Sequence, residues 1–382
     1  MNEDKAARYQ RLRRRVIVLA AAWTLFLLVS LLLTRGTYVL RDLSEFAVAQ
    51  LSMPVGIRWA AVAAVFALAL LAIHEAGALP TAYYAGVTLE RRYGLSHQPV
   101  GAWLSHHVRA VAIGAGLAVA AAVWTYAGLR LVAAWWWVWV WLAAVAGSVV
   151  LAWVAPVWLF PVFHRCSILT HDGLRDRLAL LAARAGIPVM GVFEWRLGDR
   201  TSRANAALVG LGRTRRILVS DTLVAGFTED EIEVVFAHEL AHHIHGDVWR
   251  TLAFQALVLG LSLWTAHIAL GRLAAPLELR GVSDVAGLPL VVLCLAAGSA
   301  IGRPVGHALS RRQERRADRF ALDLTEKPDA FANAIRRLSS RHLTEDDPSP
   351  LVRVLFFAHP PVRDRLACAR AWSSRHAGHT RT

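Results

Sequence analysis

Long apolar runs alternate with arginine-rich polar segments along this chain of 382 residues. Six runs are long enough, at roughly 1.5 Å per helical residue, to cross a hydrocarbon core of about 30 Å. The second run is interrupted by His74 and Glu75, and the last is near the lower length limit. The runs are Val16–Thr34, Trp59–Val87, Ala110–Leu129, Leu131–Phe163, Thr251–Gly271 and Val285–Gly302. The pattern predicts about six transmembrane helices.

Between the fourth and fifth runs, the pattern becomes that of a small mixed domain. Thr228 and Glu231 have the spacing of a capping box, which predicts a helix that begins there. Two short segments joined by Gly212–Arg215 predict a β-hairpin, so we expect a small sheet beside that helix. The predicted strands are Val192–Leu197, Ala206–Leu211 and Arg216–Val219. Further predicted helices are Asp172–Ala185, Ala308–Leu324 and Asp329–Arg341, and Thr344–Pro350 is predicted as a polar loop.

These segments divide the chain into four parts. Residues 1–163 form an N-terminal membrane region with four spans, and residues 164–250 form the first part of a polar domain. Residues 251–302 contribute two further spans, and residues 303–382 complete the polar domain. The polar domain is therefore expected to be split around a pair of membrane helices.

The composition also indicates a membrane protein, with 56% hydrophobic residues, 18% charged residues and a mean hydropathy of +0.41. The arginines Arg11 and Arg13–Arg15 precede the first span, as in a signal peptide. Its apolar core is longer than that of a signal peptide, and no small-residue cleavage site follows, so we interpret it as a retained anchor. The distribution of basic residues places both termini and the polar domain of this multi-pass cell-membrane protein in the cytoplasm.

The net charge is +14 and the isoelectric point is near 10.9. The arginines flank the predicted spans and lack interleaved aromatic residues, so anionic lipid headgroups are the expected counterpart and nucleic acid is not. Cys166, Cys294 and Cys368 have neither disulfide nor metal-site spacing. We interpret them as unpaired thiols in a reducing compartment.

The motif His-Glu-Leu-Ala-His, residues 238–242, is the strongest chemical signal in the chain. On a helix it puts the imidazoles of His238 and His242 one turn apart on one face, with the carboxylate of Glu239 beside them. This is the geometry of a zinc site with its own general base, and a catalytic zinc usually takes three protein ligands. Glu314 is a candidate for the third ligand, with Asp318 one turn further on. The alternative for this pair is a charged helix surface with arginine partners.

Several other polar residues stand out. His243 and His245 follow the motif but lie off the ligand face, and we expect them to be solvated or hydrogen-bonded. His74 and Glu75 interrupt an apolar run, so we expect them to face the bundle interior or line a substrate chamber. The cluster of tryptophans within Trp135–Trp141 favours an interfacial aromatic belt.

The motifs together resemble the CAAX prenyl protease family of membrane zinc metallopeptidases and its relatives, the HtpX-type quality-control proteases. The resemblance covers the chain from about the second span to Arg365. It is carried by the HExxH helix followed by two spans, by Glu314-x-x-Ala317-Asp318, by His359-Pro360-Pro361 with Arg365, and by the segments 79–84, 90–95 and 155–161.

The resemblance implies a site of seven residues. One Zn²⁺ is expected to be bound by His238, His242 and Glu314. Glu239 is expected to act as the general base. Asn205 is assigned to an edge strand that pairs with the substrate backbone. His359 is expected near the scissile carbonyl, and Arg365 is expected to hold the substrate or the site.

Three features depart from the family pattern. Ala207 stands where an aromatic residue is usual, so the pocket beside the edge strand can differ. Ala241 replaces the glycine of the eukaryotic members. The chain also has one predicted span fewer than those members, which affects the shape of any intramembrane chamber.

These expectations describe a mainly α polytopic membrane protein with about six transmembrane helices and a cytoplasmic, gluzincin-like zinc-metallopeptidase domain that contains a small β-sheet. The expected activity is hydrolysis of peptide bonds by a zinc-activated water, with Glu239 as base. The expected partners are the lipid bilayer and a peptide or protein substrate, and lipidated or membrane-associated substrates are among the candidates. The sequence does not indicate an oligomeric state.

Two alternatives remain. One is an HtpX-like protease that degrades damaged membrane proteins, and the other is a zinc-binding transporter or sensor, for which Glu239 is not needed. Site-2 proteases also carry HExxH, but in that class the motif lies within an apolar span, and Thr228–Glu233 is too acidic for one.

Overall fold

The computed structural model describes residues 2–154, 166–199, 201–210, 212 and 215–377. In these residues the protein is mainly helical. The helices are α1 Asn2–Leu33, α2 Gly36–Ala49, α3 Val55–Tyr83, α4 Val100–Leu131, α5 Trp136–Val154, α6 Asp172–Arg184, α7 Asp221–Gly226, α8 Glu229–Ile244, α9 Asp247–Leu273, α10 Leu288–Thr325, α11 Pro328–His342, α12 Pro350–Phe356 and α13 Val362–Ala377. A π-helical turn, Tyr84–Leu89, and a last turn, Glu90–Arg92, extend α3.

Six of these helices are long and apolar enough to cross a membrane, and the prediction of about six spans is confirmed. They are α1, α3, α4, α5, α9 and α10, the last preceded by a short 3₁₀ turn, Val285–Gly287. The end of the fourth predicted span and the motif at residues 155–161 lie outside the described residues.

Helix α2 was not predicted. With 14 residues it is too short to cross the bilayer, and besides Leu40 in the apolar core of the bundle it makes polar contacts with the segment before α10. The hydroxyl of Thr37 donates to the carbonyl of Ala286 at 2.7 Å, and Nη1 of Arg41 donates to Oδ2 of Asp284 at 2.8 Å. These contacts tie α2 to the start of α10.

His74 and Glu75 both contact neighbouring helices of the bundle. Nε2 of His74 lies 3.0 Å from the hydroxyl oxygen of Thr24 on α1, and Oε1 of Glu75 lies 2.7 Å from Nε2 of His107 on α4. The expectation of interior-facing polar groups therefore agrees with the structure.

The tryptophan cluster at the start of α5 is only partly a surface belt. Trp135 and Trp139 are exposed, whereas Trp136 is buried and its indole N–H donates to Nδ1 of His267 on α9 at 3.1 Å. Trp141 likewise donates to the backbone carbonyl of Ala256 at 2.8 Å. The belt interpretation is wrong for these two residues, because each has a hydrogen-bond acceptor on α9.

Helices α9 and α10 pack closely along a line of glycines. Gly298, Gly302 and Gly306 are one turn apart on α10 and lie against side chains of α9. A Cβ at Gly302 would come within 2.9 Å of Val258, and one at Gly306 within 3.0 Å of Phe254. Small residues at this spacing let two membrane helices approach closely.

Helix α10 joins the last span to the polar domain without a break. The sequence pattern predicts a separate helix at Ala308–Leu324, but the structure has one helix of 38 residues that continues through Pro304. At 1.5 Å per residue it is about 57 Å long, which exceeds the roughly 30 Å hydrocarbon core. Its C-terminal half therefore projects from the span and carries Glu314 into the polar domain.

The polar domain contains a four-stranded sheet with the order β1-β2-β4-β3. The strands are β1 Cys166–Ile168, β2 Val192–Trp195, β3 Ala206–Val209 and β4 Arg216–Ser220. Strands β3 and β4 form the predicted antiparallel hairpin, β2 and β4 are parallel, and β1 was not predicted. Strand β3 is at the sheet edge, next to α8.

Helix α8 lies in the core of this domain. Ile232, Phe236 and Leu240 are almost completely buried along it. Its predicted capping box is present: Thr228 N–H donates to Oε2 of Glu231 at 2.9 Å, and Glu231 N–H donates to the Thr228 hydroxyl at 3.3 Å. The helix start is thus fixed by residues that satisfy its first free amide groups.

Candidate active site

Helices α8 and α10 bring three donor side chains to one point. Nε2 of His238 lies 3.3 Å from Nε2 of His242. Oε2 of Glu314 lies 3.3 Å from Nε2 of His238, and its Oε1 lies 3.5 Å from Nε2 of His242. The three predicted ligands, which are far apart in the sequence, therefore form one cluster.

The spacing of these donors fits a metal ion. Two ligands at about 2.0–2.1 Å from a tetrahedral zinc are themselves about 3.3–3.4 Å apart, which is close to the distances in the cluster. Two imidazoles and one carboxylate are also a donor set found in catalytic zinc sites, where the fourth position is left for water. The side chains of His238, His242 and Glu314 therefore fit a zinc ion.

Each histidine of the cluster has a carboxylate at its other ring nitrogen. Nδ1 of His238 lies 3.0 Å from Oδ1 of Asp318, and Nδ1 of His242 lies 2.9 Å from Oδ2 of Asp247. A carboxylate at Nδ1 fixes the tautomer that leaves Nε2 free to bind a metal. The two rings are therefore oriented by groups that do not themselves belong to the donor set.

Arginines neutralise both of these carboxylates. Nε and Nη2 of Arg365 lie 2.9 and 2.5 Å from the oxygens of Asp318, and Arg316 pairs with Asp247. The predicted site residue Arg365 thus lies behind His238 and contacts it through Asp318. Arg365 is therefore better placed to keep Asp318 and His238 in position than to contact a substrate. It also lines the cavity described below.

The charges around the cluster favour a cation. Burial disfavours the imidazolium form of His238, but its contacts with Asp318 and Glu314 outweigh burial and raise its pKa to about 10. Burial also raises the pKa of Glu239 above its usual range, although the neighbouring His238 and His242 act in the opposite direction. A carboxylate with a raised pKa is a better proton acceptor for a general base role.

His359 lies at the open side of the cluster. Its Nδ1 is 2.8 Å from Oε2 of Glu314, and its side chain is 67% exposed. Pro360 follows it and restricts its backbone to extended conformations, so the ring is presented from a rigid segment. Both residues line the cavity in front of Glu239.

A cavity of about 330 Å³ opens in front of the cluster. The predicted site residues Asn205, Glu239 and His359 line it together with His238, Glu314 and Arg365. Its remaining wall is mainly apolar and comes from α8, α11 and the segment before α13, with Val234, Phe331, Ile335, Leu338 and Val362 among its residues. A peptide side chain of apolar character would fit this wall.

Strand β3 presents its free edge to this cavity. Asn205 pairs with Ser220 at the start of the hairpin, so alternate residues, including Ala204, Ala206 and Leu208, direct their backbone groups away from β4. His342 Nε2 donates to the carbonyl of Ala204 at 2.9 Å, and His243 Nε2 donates to that of Leu208 at 2.6 Å, because a carbonyl can only accept. Ala206 lies between them on the same edge.

Three residues of this site have roles that the sequence analysis missed. Asp318 was noted only as a partner of Glu314 on one helix face, and Asp247 and His342 were not considered. A signal for the two acids exists in the chemistry, since a metal-binding histidine nearly always donates its second N–H to an acceptor. Nothing in the local pattern around His342 indicates its contact with Ala204, which is 138 residues away in sequence.

A His-His-Glu cluster that could hold a metal ion therefore lies where a bundle of membrane helices meets a small α+β domain. The comparison with known families agrees: the model described as Peptidase family M48 matches residues 169–373. A second model, described as CAAX prenyl protease N-terminal, five membrane helices, matches residues 2–165. This chain belongs to peptidase family M48, and the resemblance to membrane metalloproteases predicted from its motifs is confirmed.

Named relatives agree with this membership. The chain is 30% identical to the uncharacterized metalloprotease YhfN of Bacillus subtilis over 60% of this chain and 55% of that protein. It is 25% identical to CAAX prenyl protease 1 of Saccharomyces cerevisiae over 75% of this chain and 67% of that protein. The chain thus spans between about half and two thirds of the length of these relatives.

The fold has a counterpart among solved structures. The crystal structure of S. mikatae Ste24p superposes with a TM-score of 0.81, covering 96% of this chain and 88% of that one, at 19% sequence identity. The described part of residues 2–165 has four long apolar helices, α1, α3, α4 and α5, where the family description counts five.

Proposed function

We propose that this protein is a zinc-dependent endopeptidase of the membrane that hydrolyses peptide bonds in the cavity between β3 and the HExxH helix. The observation that carries the proposal is the cluster of His238, His242 and Glu314, with donor atoms 3.3–3.5 Å apart, next to a free strand edge. A binding protein or sensor would need the donors but neither Glu239 nor the edge.

The chemistry needs a polarised carbonyl and an activated water. Zinc bound by the three donors would supply Lewis-acid polarisation and lower the pKa of a coordinated water. Glu239 lies in the same cavity as a general base, takes one proton from the attacking water and passes it to the leaving amine. The hydroxyl adds to the carbonyl carbon and leaves negative charge on the carbonyl oxygen. When the C=O bond re-forms, the C–N bond breaks and the amine leaves with the proton from Glu239, so the products are a carboxylic acid and an amine.

His359 is proposed to stabilise the negative charge that develops on the carbonyl oxygen. The ring lies in the open part of the cavity, close to Glu314 and not deep in the core. A donor in that position acts mainly on the transition state, because the charge on the oxygen is small before the attack.

Substrate backbone is proposed to pair with β3 by strand addition. The carbonyls of Ala204 and Leu208 already accept bonds from histidines, so Ala206 offers the open backbone groups between them. Asn205 is exposed beside it and lines the cavity, where its amide can hold the residues flanking the scissile bond. Arg365 is proposed to keep Asp318 and His238 in place.

The substrates are proposed to be peptides or proteins at the membrane surface, because the projecting half of α10 brings the site next to the spans. Lipidated peptides and damaged membrane proteins are both candidates, and they correspond to CAAX protease-like and HtpX-like activities. The bias of arginine towards the N-terminus supports a site that faces the cytoplasm, with both termini on that side.

Purified full-length protein tests the proposal. We expect one zinc per chain, cleavage of an unmodified peptide library, and loss of cleavage after chelation that is reversed by adding zinc. Glu239→Gln is the matched control, because it keeps the donors and removes the base. Bound zinc without cleavage of any peptide or protein in the panel would favour the sensor or transporter class.

A second panel separates the two substrate classes. The same peptides with and without a C-terminal lipid are compared with an unfolded membrane protein. A preference for the lipidated peptides supports the CAAX protease-like activity, and degradation of the unfolded protein at many sites supports the HtpX-like one.

A further inference from the structure

A small apolar core, here called the junction core, lies where the N-terminal end of α1 meets the polar domain. It consists of Ala6, Tyr9, Leu89, Tyr93, Leu95 and Leu343. Helix α1 has 32 residues and is about 48 Å long, whereas the hydrocarbon core is roughly 30 Å thick. Its arginine-rich first turns therefore project from the bilayer and reach the polar domain.

Tyr9 is fully buried in the junction core, and its hydroxyl joins two charged groups. It donates to Oε1 of Glu90 at 2.5 Å and accepts from Nη2 of Arg203 at 2.8 Å. The same Nη2 lies 2.9 Å from Oε1 of Glu90. The three side chains form a closed triangle that links α1, the end of α3 and the segment before β3.

The backbone of Arg203 is fixed as firmly as its side chain. Its N–H donates to the Thr201 hydroxyl at 3.3 Å, and its carbonyl accepts from the Thr222 hydroxyl at 2.7 Å. Thr201 is itself held, since its hydroxyl donates to the carbonyl of Leu95 at 2.6 Å. Asn205 follows two residues after Arg203. The membrane helices thus hold the segment through which the chain enters the edge strand.

Helix α1 also contacts the opposite wall of the cavity. Nε2 of Gln10 donates to the carbonyl of Leu343 at 2.7 Å, and Nη1 of Arg14 lies 2.6 Å from Oε2 of Glu345. Thr344, between these two residues, lines the cavity. One helix end therefore sets the separation between the strand side and the loop side of the cavity.

We infer that Tyr9, Glu90 and Arg203 are positioning residues that hold β3 at the distance from the metal ligands that a paired peptide requires. The inference rests on the proposed endopeptidase function and names a requirement for substrate binding. Without the hydroxyl of Tyr9, the guanidinium of Arg203 retains only its contact with Glu90. The segment Thr201–Asn205 then loses its link to α1. The edge of β3 is then held less firmly, so a smaller fraction of the protein has β3 in the position that binds the peptide. The apparent affinity for the peptide falls by that fraction.

Tyr9→Phe tests this with the smallest change, because it removes one oxygen and keeps the ring. Tyr93→Phe is the matched control: its ring packs edge-on against Tyr9 with centroids 5.2 Å apart, and its hydroxyl is outside the triangle. Both changes are made in full-length Glu239→Gln protein with zinc bound. Fluorescence anisotropy measures the affinity for a peptide that the wild type cleaves. We expect affinity to fall about tenfold with Tyr9→Phe, as for loss of a charge-assisted hydrogen bond, and less than about twofold with Tyr93→Phe.

Steady-state kinetics of variants that retain Glu239, and are therefore active, separate positioning from general destabilisation. Tyr9→Phe should raise KM by about the same factor as the loss of affinity, with kcat and zinc content unchanged and the protein fully folded at the assay temperature. The loss should be less than additive with that of Asn205→Ala, because both act on the same strand. Arg203→Lys should retain more affinity than Arg203→Met, since only lysine keeps the charge opposite Glu90.

Equal affinities of the Tyr9→Phe and Tyr93→Phe proteins would overturn the inference. So would a loss of zinc, or unfolding at the assay temperature that accounts for the weaker binding, either of which would make the triangle a purely structural feature. Glu90→Gln provides a second variant with the same expected loss if Tyr9→Phe does not fold. A wild type that binds zinc but cleaves no peptide would instead remove the proposed function.

Discussion

Glu314 and Asp318 contact opposite ring nitrogens of the same histidine. They lie one turn apart on α10, with Glu314 3.3 Å from Nε2 of His238 and Asp318 3.0 Å from Nδ1. The i,i+4 pair that could have been a charged surface is therefore buried against His238, with Glu314 as a proposed ligand and Asp318 as its proposed support. One helix face supplies both the third donor and the acceptor that orients the first.

The ligands and the base should respond differently to substitution. Glu239→Gln should leave zinc content unchanged and lower kcat on the order of 10²–10⁴-fold, because only proton transfer is removed. Glu314→Ala should lose the metal together with activity, as should His238→Ala and His242→Ala. Elemental analysis and peptide cleavage on the same samples measure both. Full zinc occupancy in Glu314→Ala would exclude it from the donor set.

Asp318→Asn should weaken zinc binding about 10- to 100-fold, because the amide orients the ring of His238 less well and leaves Arg365 without its ion pair. Competition with a chelating dye gives the affinity. Asp323→Asn is the control, since Asp323 is on the same helix and accepts from the indole of Trp372 at 2.7 Å, away from the site. Equal zinc affinity of the two variants would contradict the role of Asp318.

His359→Ala should lower kcat on the order of 10²–10³-fold with little change in zinc content, as for other residues that stabilise an oxyanion. Steady-state kinetics with elemental analysis test it. His359→Gln keeps an N–H donor and should recover part of the loss. An unchanged kcat would make His359 structural, and the developing charge would then depend on the metal or on Arg365.

Cysteine labelling tests the orientation. Ser349→Cys, in the exposed loop before α12, should react with a membrane-impermeant reagent only after the cells are opened. Ser52→Cys, exposed between α2 and α3, should react in intact cells, because a single span separates it from the N-terminus. Each substitution is made in protein without the three native cysteines. The reversed labelling pattern would show that the protein has the opposite orientation in the membrane.

The spans could be predicted from the sequence because the bilayer requires long uninterrupted apolar runs. Such runs are recognised from the hydrophobicity of consecutive residues alone. The capping box at Thr228 and the β3–β4 hairpin were also found, since both depend on neighbouring residues. Helix α2 was missed because its contacts, such as Arg41 with Asp284, are distant in sequence and it has no long apolar run. Strand β1, with three residues, gives too short a pattern.

The site was harder to predict than the spans. The HExxH motif places two donors by itself, whereas Glu314 was only a candidate until the family resemblance assigned it as the third. The local pattern could not decide this, because 71 residues lie between His242 and Glu314. The continuity of α10 through Pro304 was also missed, since proline commonly ends a helix. Residues such as His342 act through backbone contacts that only the folded chain creates.

The unbroken course of α10 has a consequence for the order of events during biosynthesis. The histidines leave the ribosome before both of the last two spans, and Glu314 follows only after the second of them. A growing chain therefore holds two donors but not the third until its final span has been synthesised. The three-donor cluster can therefore form only after both of the last two spans have been synthesised.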